Sequence, residues 1–310
     1  GIDVFRVFDS LNWVENMRIA MDAVLESGKI CEGTICYTGD ILNPDRSKYN
    51  LKYYVNMAKD LQKSGAHFLG LKDMAGLLKP AAARQLVKAL KEEVGLPIHF
   101  HTHDTSGIAG ATILAAADAG VDVVDTAMDA FSGGTSQPCM GSVVEALHNS
   151  ERDTGINIEN LREISDYWGQ VRAQYAAFES GLSSPASEVY LHEMPGGQFT
   201  NLKAQARSMG MEEKWHDIAE TYAEVNQMFG DIVKVTPSSK VVGDMALMMV
   251  AQNLNREDVE NPNIEVSFPE SVVDMLKGNL GQPPGGFPKH IVTKALKGEK
   301  PNLDRPGKNL

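Results

Sequence analysis

The residues best placed to do chemistry sit in His99-Phe100-His101-Thr102-His103-Asp104-Thr105. On a β-strand, side chains two apart share a face, so His99, His101 and His103 line one side of a segment that begins at Leu96-Pro97-Ile98. The Cα atoms of His101 and His103 would lie roughly 6–7 Å apart. Two imidazoles can close that gap around one metal ion, at about 2.0–2.1 Å from each nitrogen. His-x-His alone is equally a pair of half-buried strand histidines. A second apolar run ends in charge at Gly70-Leu71-Lys72-Asp73-Met74-Ala75-Gly76, and a third ends at Asp9. Lysine is the odd member, because an ammonium has donors only and repels a cation. Near a metal, Lys72 must lose its proton or become a carbamate whose oxygens coordinate. The plainer alternative is an ion pair of Lys72 with Asp73 or another carboxylate. Asp9 reads either as a pocket-lining group or as a structural carboxylate at the rim.

Bringing these groups to one rim requires parallel βα units, whose functional side chains gather at the C-terminal ends of strands. Apolar, β-branched runs predict strands at 2–8, 30–37, 67–71, 98–103 and 121–126. Between them lie helical patterns at 14–25, at 50–63 with Asn50 as cap, at 81–93 with Pro80 in the first position, and at 107–119. Strands recur about every 25–37 residues, the rhythm of βα units rather than of hairpins. Asp9, Lys72, Asp73, His101, His103 and the loop 128–135 all fall at strand ends. Gly133-Gly134 in that loop reads as a turn rather than a phosphate cradle. From about Pro138 the pattern becomes helical, at 140–147, 158–178, 199–208, 212–229, 240–251, 270–276 and 290–295. The segment Val235-Thr236-Pro237-Ser238-Ser239-Lys240 reads, by itself, as a helix N-terminus with serine caps.

Composition narrows the class. The 310 residues carry 29 basic and 41 acidic side chains, a formal net charge of −12 that argues against nucleic acid or an anionic membrane as partner and suits a cytoplasmic enzyme. Cys31, Cys36 and Cys139 are too few and too irregular for a disulfide framework or a cysteine-type zinc site. No window is long and apolar enough to span a bilayer, so no membrane partner is expected. The start at Gly1-Ile2-Asp3 enters a strand without a lead-in and reads as a cut fragment.

Four motifs in order resemble the carboxyltransferase domain of the pyruvate carboxylase family: Phe5-Arg6-Val7-Phe8-Asp9-Ser10-Leu11-Asn12, Gly70-Leu71-Lys72-Asp73-Met74-Ala75-Gly76-Leu77, His99-Phe100-His101-Thr102-His103-Asp104-Thr105 and Gly285-Gly286-Phe287-Pro288. Related domains occur in the oxaloacetate decarboxylase α subunit and in the pyruvate-side transcarboxylase subunit. The resemblance implies an α/β fold, a (β/α)8 TIM barrel followed by an α-helical extension that forms a funnel. Residues 1–137 would be a partial barrel, 138–296 the helical extension and 297–310 the start of a linker. It further implies carboxyl transfer from carboxybiotin to pyruvate, giving oxaloacetate. Lys72, carbamylated, His101 and His103 would then hold Zn²⁺ or Mn²⁺. Thr236 would pass a proton between pyruvate and biotin, with Ser239 and Lys240 near the biotin ureido group.

Against that pattern, only five of eight strands are legible, and they resemble strands four to eight. The family's aspartate ligand, and the arginine and glutamine that grip the pyruvate carboxylate, would belong to the missing part, so the chain as it stands is expected to be inactive or impaired. It contains no Ala-Met-Lys-Met attachment site and no ATP-grasp domain. Biotin must therefore come on a biotin carboxyl carrier domain charged by a biotin carboxylase domain elsewhere. A homo-oligomer is what the family leads one to expect. The competing enzymatic readings are an oxaloacetate decarboxylase or transcarboxylase subunit, and a metal-dependent lyase or condensing enzyme on a related barrel. A third is a catalytically silent folding or assembly module.

Overall fold

The computed structural model describes residues 1–179 and 184–308. Residues 180–183, within the expected helical extension, and Asn309 and Leu310, at the end of the expected linker, lie outside the described residues. The first half alternates strand and helix: β1 Val4–Val7, α1 Val14–Glu26, β2 Ile30–Cys36, α2 Leu51–Lys63, β3 Phe68–Asp73, α3 Pro80–Glu93, β4 Ile98–Thr102, α4 Ala109–Asp118 and β5 Val123–Val124. Every neighbouring pair is parallel, and the order in the sheet is β1-β2-β3-β4-β5. Consecutive order throughout is that of a barrel wall, whereas a doubly wound sheet reverses direction at a switch point. The expected fold class is borne out, with five βα strands.

Local chemistry explains the elements. Asn50 accepts the Tyr53 N–H at 3.0 Å and starts α2, whose Tyr54, Met57, Ala58 and Leu61 are buried. Pro80 opens α3, as its fixed φ and missing N–H allow, and α3 buries Ala82, Ala83, Leu86, Val87 and Leu90. The fifth strand is shorter than expected. Among the described residues it pairs with β4, and the Asp122 carboxylate accepts the Ile98 N–H at 2.8 Å.

The second half is helical: α5 Met140–Leu147, α6 Ile158–Gln174, α7 Val189–His192, α8 Gly196–Ser208, α9 Trp215–Met228, α10 Ser238–Gln252, α11 Arg256–Glu260, α12 Glu270–Leu276 and α13 Lys289–Leu296. The helix expected over 158–178 ends at Gln174, and Ala176–Phe178 forms a separate 3-10 turn. No helix among the described residues is long and apolar enough to cross a membrane.

Contacts divide the chain into two compact units, Gly1–Val7 with Ala20–Tyr190, and Phe8–Ile19 with Leu191–Leu310. The expected boundary after residue 137 does not coincide with this division. Helix α5 buries Val143, Val144 and Leu147 and packs on α4, and α6 packs on α5, so both remain with the sheet. In the second unit α10 is central, packed on α8, α9 and α12 with Val241, Val242, Met245, Ala246 and Leu247 buried. A Cβ at Gly243 would lie 2.4 Å from Gln198 Nε2, so a glycine is what lets α8 close on α10.

Candidate functional site

Strand β4 shows the two-residue period directly: Ile98, Phe100 and Thr102 are buried, while His99 and His101 on the opposite face are half-buried. Lys72 on β3 is the Cα partner of His101, and Asp73 is the partner of Thr102. Adjacent strand residues face opposite ways, so Asp73 is turned from Lys72 into the core. Its carboxylate accepts from the Leu77 N–H at 2.8 Å, the Leu78 N–H at 3.0 Å and the Thr102 hydroxyl at 2.9 Å. Full burial raises the Asp73 pKa, opposed by those three bonds. Asp73 thus shapes the loop after β3. Burial also lowers the pKa of the Lys72 ammonium, with the positive charge of Arg6 adding to the effect.

The two expected imidazole ligands are brought together. His101 Nε2 and His103 Nε2 are 3.3 Å apart. The other nitrogen of each ring is engaged: His101 Nδ1 lies 2.8 Å from Asp125 Oδ2, and His103 Nδ1 lies 2.6 Å from the Thr135 carbonyl. Both partners only accept, so both Nδ1 atoms carry hydrogen, and in the neutral rings both Nε2 atoms are bare lone pairs facing one point. Burial pushes the His103 pKa down to about 4, against the opposing bond to Thr135, so this ring is held neutral. Two lone pairs at that spacing repel unless a cation lies between them. Nitrogens bound to one zinc ion at about 2.0–2.1 Å each would sit at about this separation. A ligand histidine whose second nitrogen meets a carboxylate or a carbonyl is the usual arrangement at metal centres. The residues therefore fit a metal ion. Among the described residues no group of three His, Cys, Asp or Glu side chains could hold one. Lys72, the Cα partner of His101, stands on the neighbouring strand.

His99, grouped with these two by spacing, has a different role. Its Nδ1 is 2.9 Å from Glu32 Oε2 and its Nε2 is 2.6 Å from Asp125 Oδ1. Burial disfavours its charge, but the bonds to Asp125 and Glu32 outweigh this and hold its pKa up to about 9. Arg6 Nε is 2.6 Å from Glu32 Oε1, and Arg6 Nη2 is 3.3 Å from Asp125 Oδ2. Burial opposes ionisation of Asp125, yet the bonds from His101 and His99 hold its carboxyl well below the usual range. Sequence reading missed Arg6, Glu32 and Asp125. The signal for Asp125 was available, since it follows a strand as Asp9 does. Glu32, a carboxylate inside an apolar strand, was the other anomaly.

The remaining candidates lie in the second unit. Asp9 is buried, and its oxygens accept from the Leu11 and Trp13 N–H groups at 2.8 and 3.0 Å and from Asn16 Nδ2 at 2.7 Å. That is the geometry of a structural carboxylate holding the turn before α1. The serines expected to cap α10 do not cap it. Ser238 is buried, with its Oγ within reach of three carbonyl oxygens, those of Ser10, Val233 and Val235 at 3.1, 2.9 and 2.8 Å, any one of which can take its single hydrogen. Ser239 is likewise buried, whereas Thr236 and Lys240 are exposed. Lys240 Nζ pairs with Asp244 at 2.6 Å. Behind Thr236, the buried Lys234 ammonium lies 3.1 Å from Glu193 Oε2.

Comparison with known proteins agrees with these two parts. Residues 34–167 match the HMGL-like family model, and residues 189–310 match that of the conserved carboxylase domain. The chain is 53% identical over its full length to pyruvate carboxylase of Bacillus subtilis and 49% identical to the mitochondrial pyruvate carboxylase of Mus musculus, and it spans 27% of each. Among solved structures, it aligns over its full length with the carboxyl transferase domain of Rhizobium etli pyruvate carboxylase crystallised with pyruvate and biocytin, at 70% identity and a TM-score of 0.99, covering 52% of that chain. By sequence and by fold, the chain is a relative, over its whole length, of the carboxyltransferase domain of pyruvate carboxylase.

Proposed function

We propose that the chain takes part in carboxyl transfer from carboxybiotin to pyruvate, giving oxaloacetate, within a longer biotin-dependent enzyme. The observation that carries this reading is the pair of imidazole Nε2 atoms turned on one another at 3.3 Å, in a chain 70% identical to a carboxyl transferase domain solved with pyruvate and biocytin. His101 and His103 would hold a divalent metal, with Lys72 as its carbamate for third ligand. Zn²⁺ and Mn²⁺ both suit imidazoles combined with carboxylate-like oxygens. Such an ion, when bound, supplies positive charge that favours the enolate form of pyruvate. Burial prepares the two kinds of ligand, keeping His103 neutral and drawing Lys72 towards the free amine that takes up carbon dioxide.

Thr236 carries the proton. Its exposed hydroxyl donates and accepts at once, so it takes a proton from the pyruvate methyl group and passes one to the biotin ring nitrogen as the carboxyl group moves. Ser239 and Lys240 are assigned to the biotin ureido group, and Lys240 must exchange its pairing with Asp244 to reach it. The buried bonds of Asp9 favour its structural role. The partners in this reading are pyruvate and oxaloacetate, a biotin carboxyl carrier domain, a biotin carboxylase domain and further copies of the same polypeptide, in the cytoplasm.

Biotin-dependent decarboxylation of oxaloacetate by the intact polypeptide tests the proposal. Thr236→Ala should lower kcat by about 10²–10⁴-fold with metal content unchanged. Undiminished turnover in that variant would remove Thr236 from the reaction. The HMGL-like match over 34–167 supports the second reading, a metal-dependent lyase or condensing enzyme. That enzyme would turn over without biotin.

A further inference from the structure

We propose that Asp125 is a positioning residue for the candidate metal centre, clamped so that it fixes His101 in the tautomer whose Nε2 is bare. The proposal rests on the reading of His101 and His103 as ligands. Asp125 follows β5, and its backbone N–H still reaches the Phe100 carbonyl at 2.9 Å, so its Cα is held to β4. Its two oxygens are divided between two histidines, Oδ1 at 2.6 Å from His99 Nε2 and Oδ2 at 2.8 Å from His101 Nδ1.

The clamp is closed on its far side. His99 faces an ionised carboxylate through each nitrogen, Glu32 at 2.9 Å and Asp125 at 2.6 Å, and both acceptors require a hydrogen, so the ring donates twice. Arg6 joins Glu32 at 2.6 Å to Asp125 at 3.3 Å. Arg6 Nη2 also lies 3.0 and 3.2 Å from the two His99 nitrogens, so two cations and two anions are packed together, and the Asp125 carboxylate cannot rotate without breaking at least two of its hydrogen bonds. His101 is the one member of this network that also faces His103. Orientation passes outward from Arg6 and Glu32 to His99, then to Asp125, then to His101. His103 is set separately, by the Thr135 carbonyl.

Asp125→Asn isolates the effect with little change of shape. The amide offers one oxygen and one NH₂ where the carboxylate offered two acceptors. With its oxygen kept by doubly protonated His99, the NH₂ meets His101 Nδ1, and that ring must give up its Nδ1 hydrogen and carry one on Nε2. The lone pair facing His103 is then lost.

The test is calorimetric titration of the full chain with Mn²⁺, together with the ¹⁵N shifts of the imidazole nitrogens in the metal-free protein. In the parent chain His101 should carry its hydrogen on Nδ1. In Asp125→Asn it should move to Nε2, and Mn²⁺ affinity should fall about 10–100-fold. An Asp125→Asn variant that binds Mn²⁺ within twofold of the parent, while His101→Ala loses binding, would overturn this proposal and leave the metal reading intact. Parent and His101→Ala chains of equal affinity would overturn both. Should Asp125→Asn fail to fold, the parent spectrum decides alone, since a hydrogen on His101 Nε2 there contradicts the assignment.

Discussion

The ammonium of Lys234 and the carboxylate of Glu193, 3.1 Å apart, are both buried in the second unit, and removing either partner breaks a buried charge pair. Lys234→Ala should cost about 3–5 kcal/mol in urea unfolding, because one half of a buried, hydrogen-bonded charge pair is removed. Lys234→Met combined with Glu193→Leu should recover much of that loss, since an apolar pair of similar volume has no charge to desolvate. Residues of this kind were the hardest to read from sequence. The three histidines stand out in the sequence because a period of two places them on one strand face, and Lys72 because strand ends collect chemistry. Asp73 had the same credentials, but it neighbours Lys72 along the strand and therefore points the other way. Arg6, Glu32 and His99 lie on three strands and Asp125 just after a fourth, and only register brings them together. Residue spacing within one strand carries no information about that.

At the scale of elements, helices were legible almost to the residue where a cap or proline marked them, as at Asn50 and Pro80. They were less so where the chain tightens into a 3-10 turn after Gln174, or where a serine spends its hydroxyl on preceding carbonyls, as Ser238 does. Asn50→Ala should cost about 1 kcal/mol in thermal or urea unfolding, the loss of one N-cap. The turn between β3 and α3 matters more to the site. Gly76 has φ +71°, and a Cβ there would lie 2.2 Å from the His103 carbonyl oxygen. Gly76→Ala must therefore strain its own backbone and displace the backbone of His103. A stability loss above about 1 kcal/mol is expected, accompanied by weaker Mn²⁺ binding. Unchanged affinity in a folded Gly76→Ala chain would show that His103 does not depend on this close approach.

For the whole molecule, contacts divide the chain at Tyr190, and α5 and α6, which look like their helical successors in sequence, stay with the sheet. The second unit also carries a built-in acid response. His192 is 4% exposed, and its Nδ1 accepts the Met194 N–H at 3.0 Å. Burial pushes its pKa from 6.5 down to about 4, with the positive charge of Lys234 contributing. The folded state thus favours the neutral ring. Its contribution is complete above pH 6.5 and is lost as pH falls from there towards 4, because the unfolded chain takes up the proton first. Between pH 7 and 5 this amounts to about 2 kcal/mol, readable in the exchange protection of α9 and α10 amides. His192→Gln should flatten that dependence.

The strand order β1-β2-β3-β4-β5 has a consequence for how the molecule is made. Each strand bonds to the one synthesised just before it, so a ribosome delivers the wall in the order in which it pairs. Among the five described strands none waits for a distant partner to extend the wall, and Lys72 is already on β3 when His101 emerges to lie beside it. The candidate ligands Lys72, His101 and His103 are then delivered in sequence onto a wall that is already pairing.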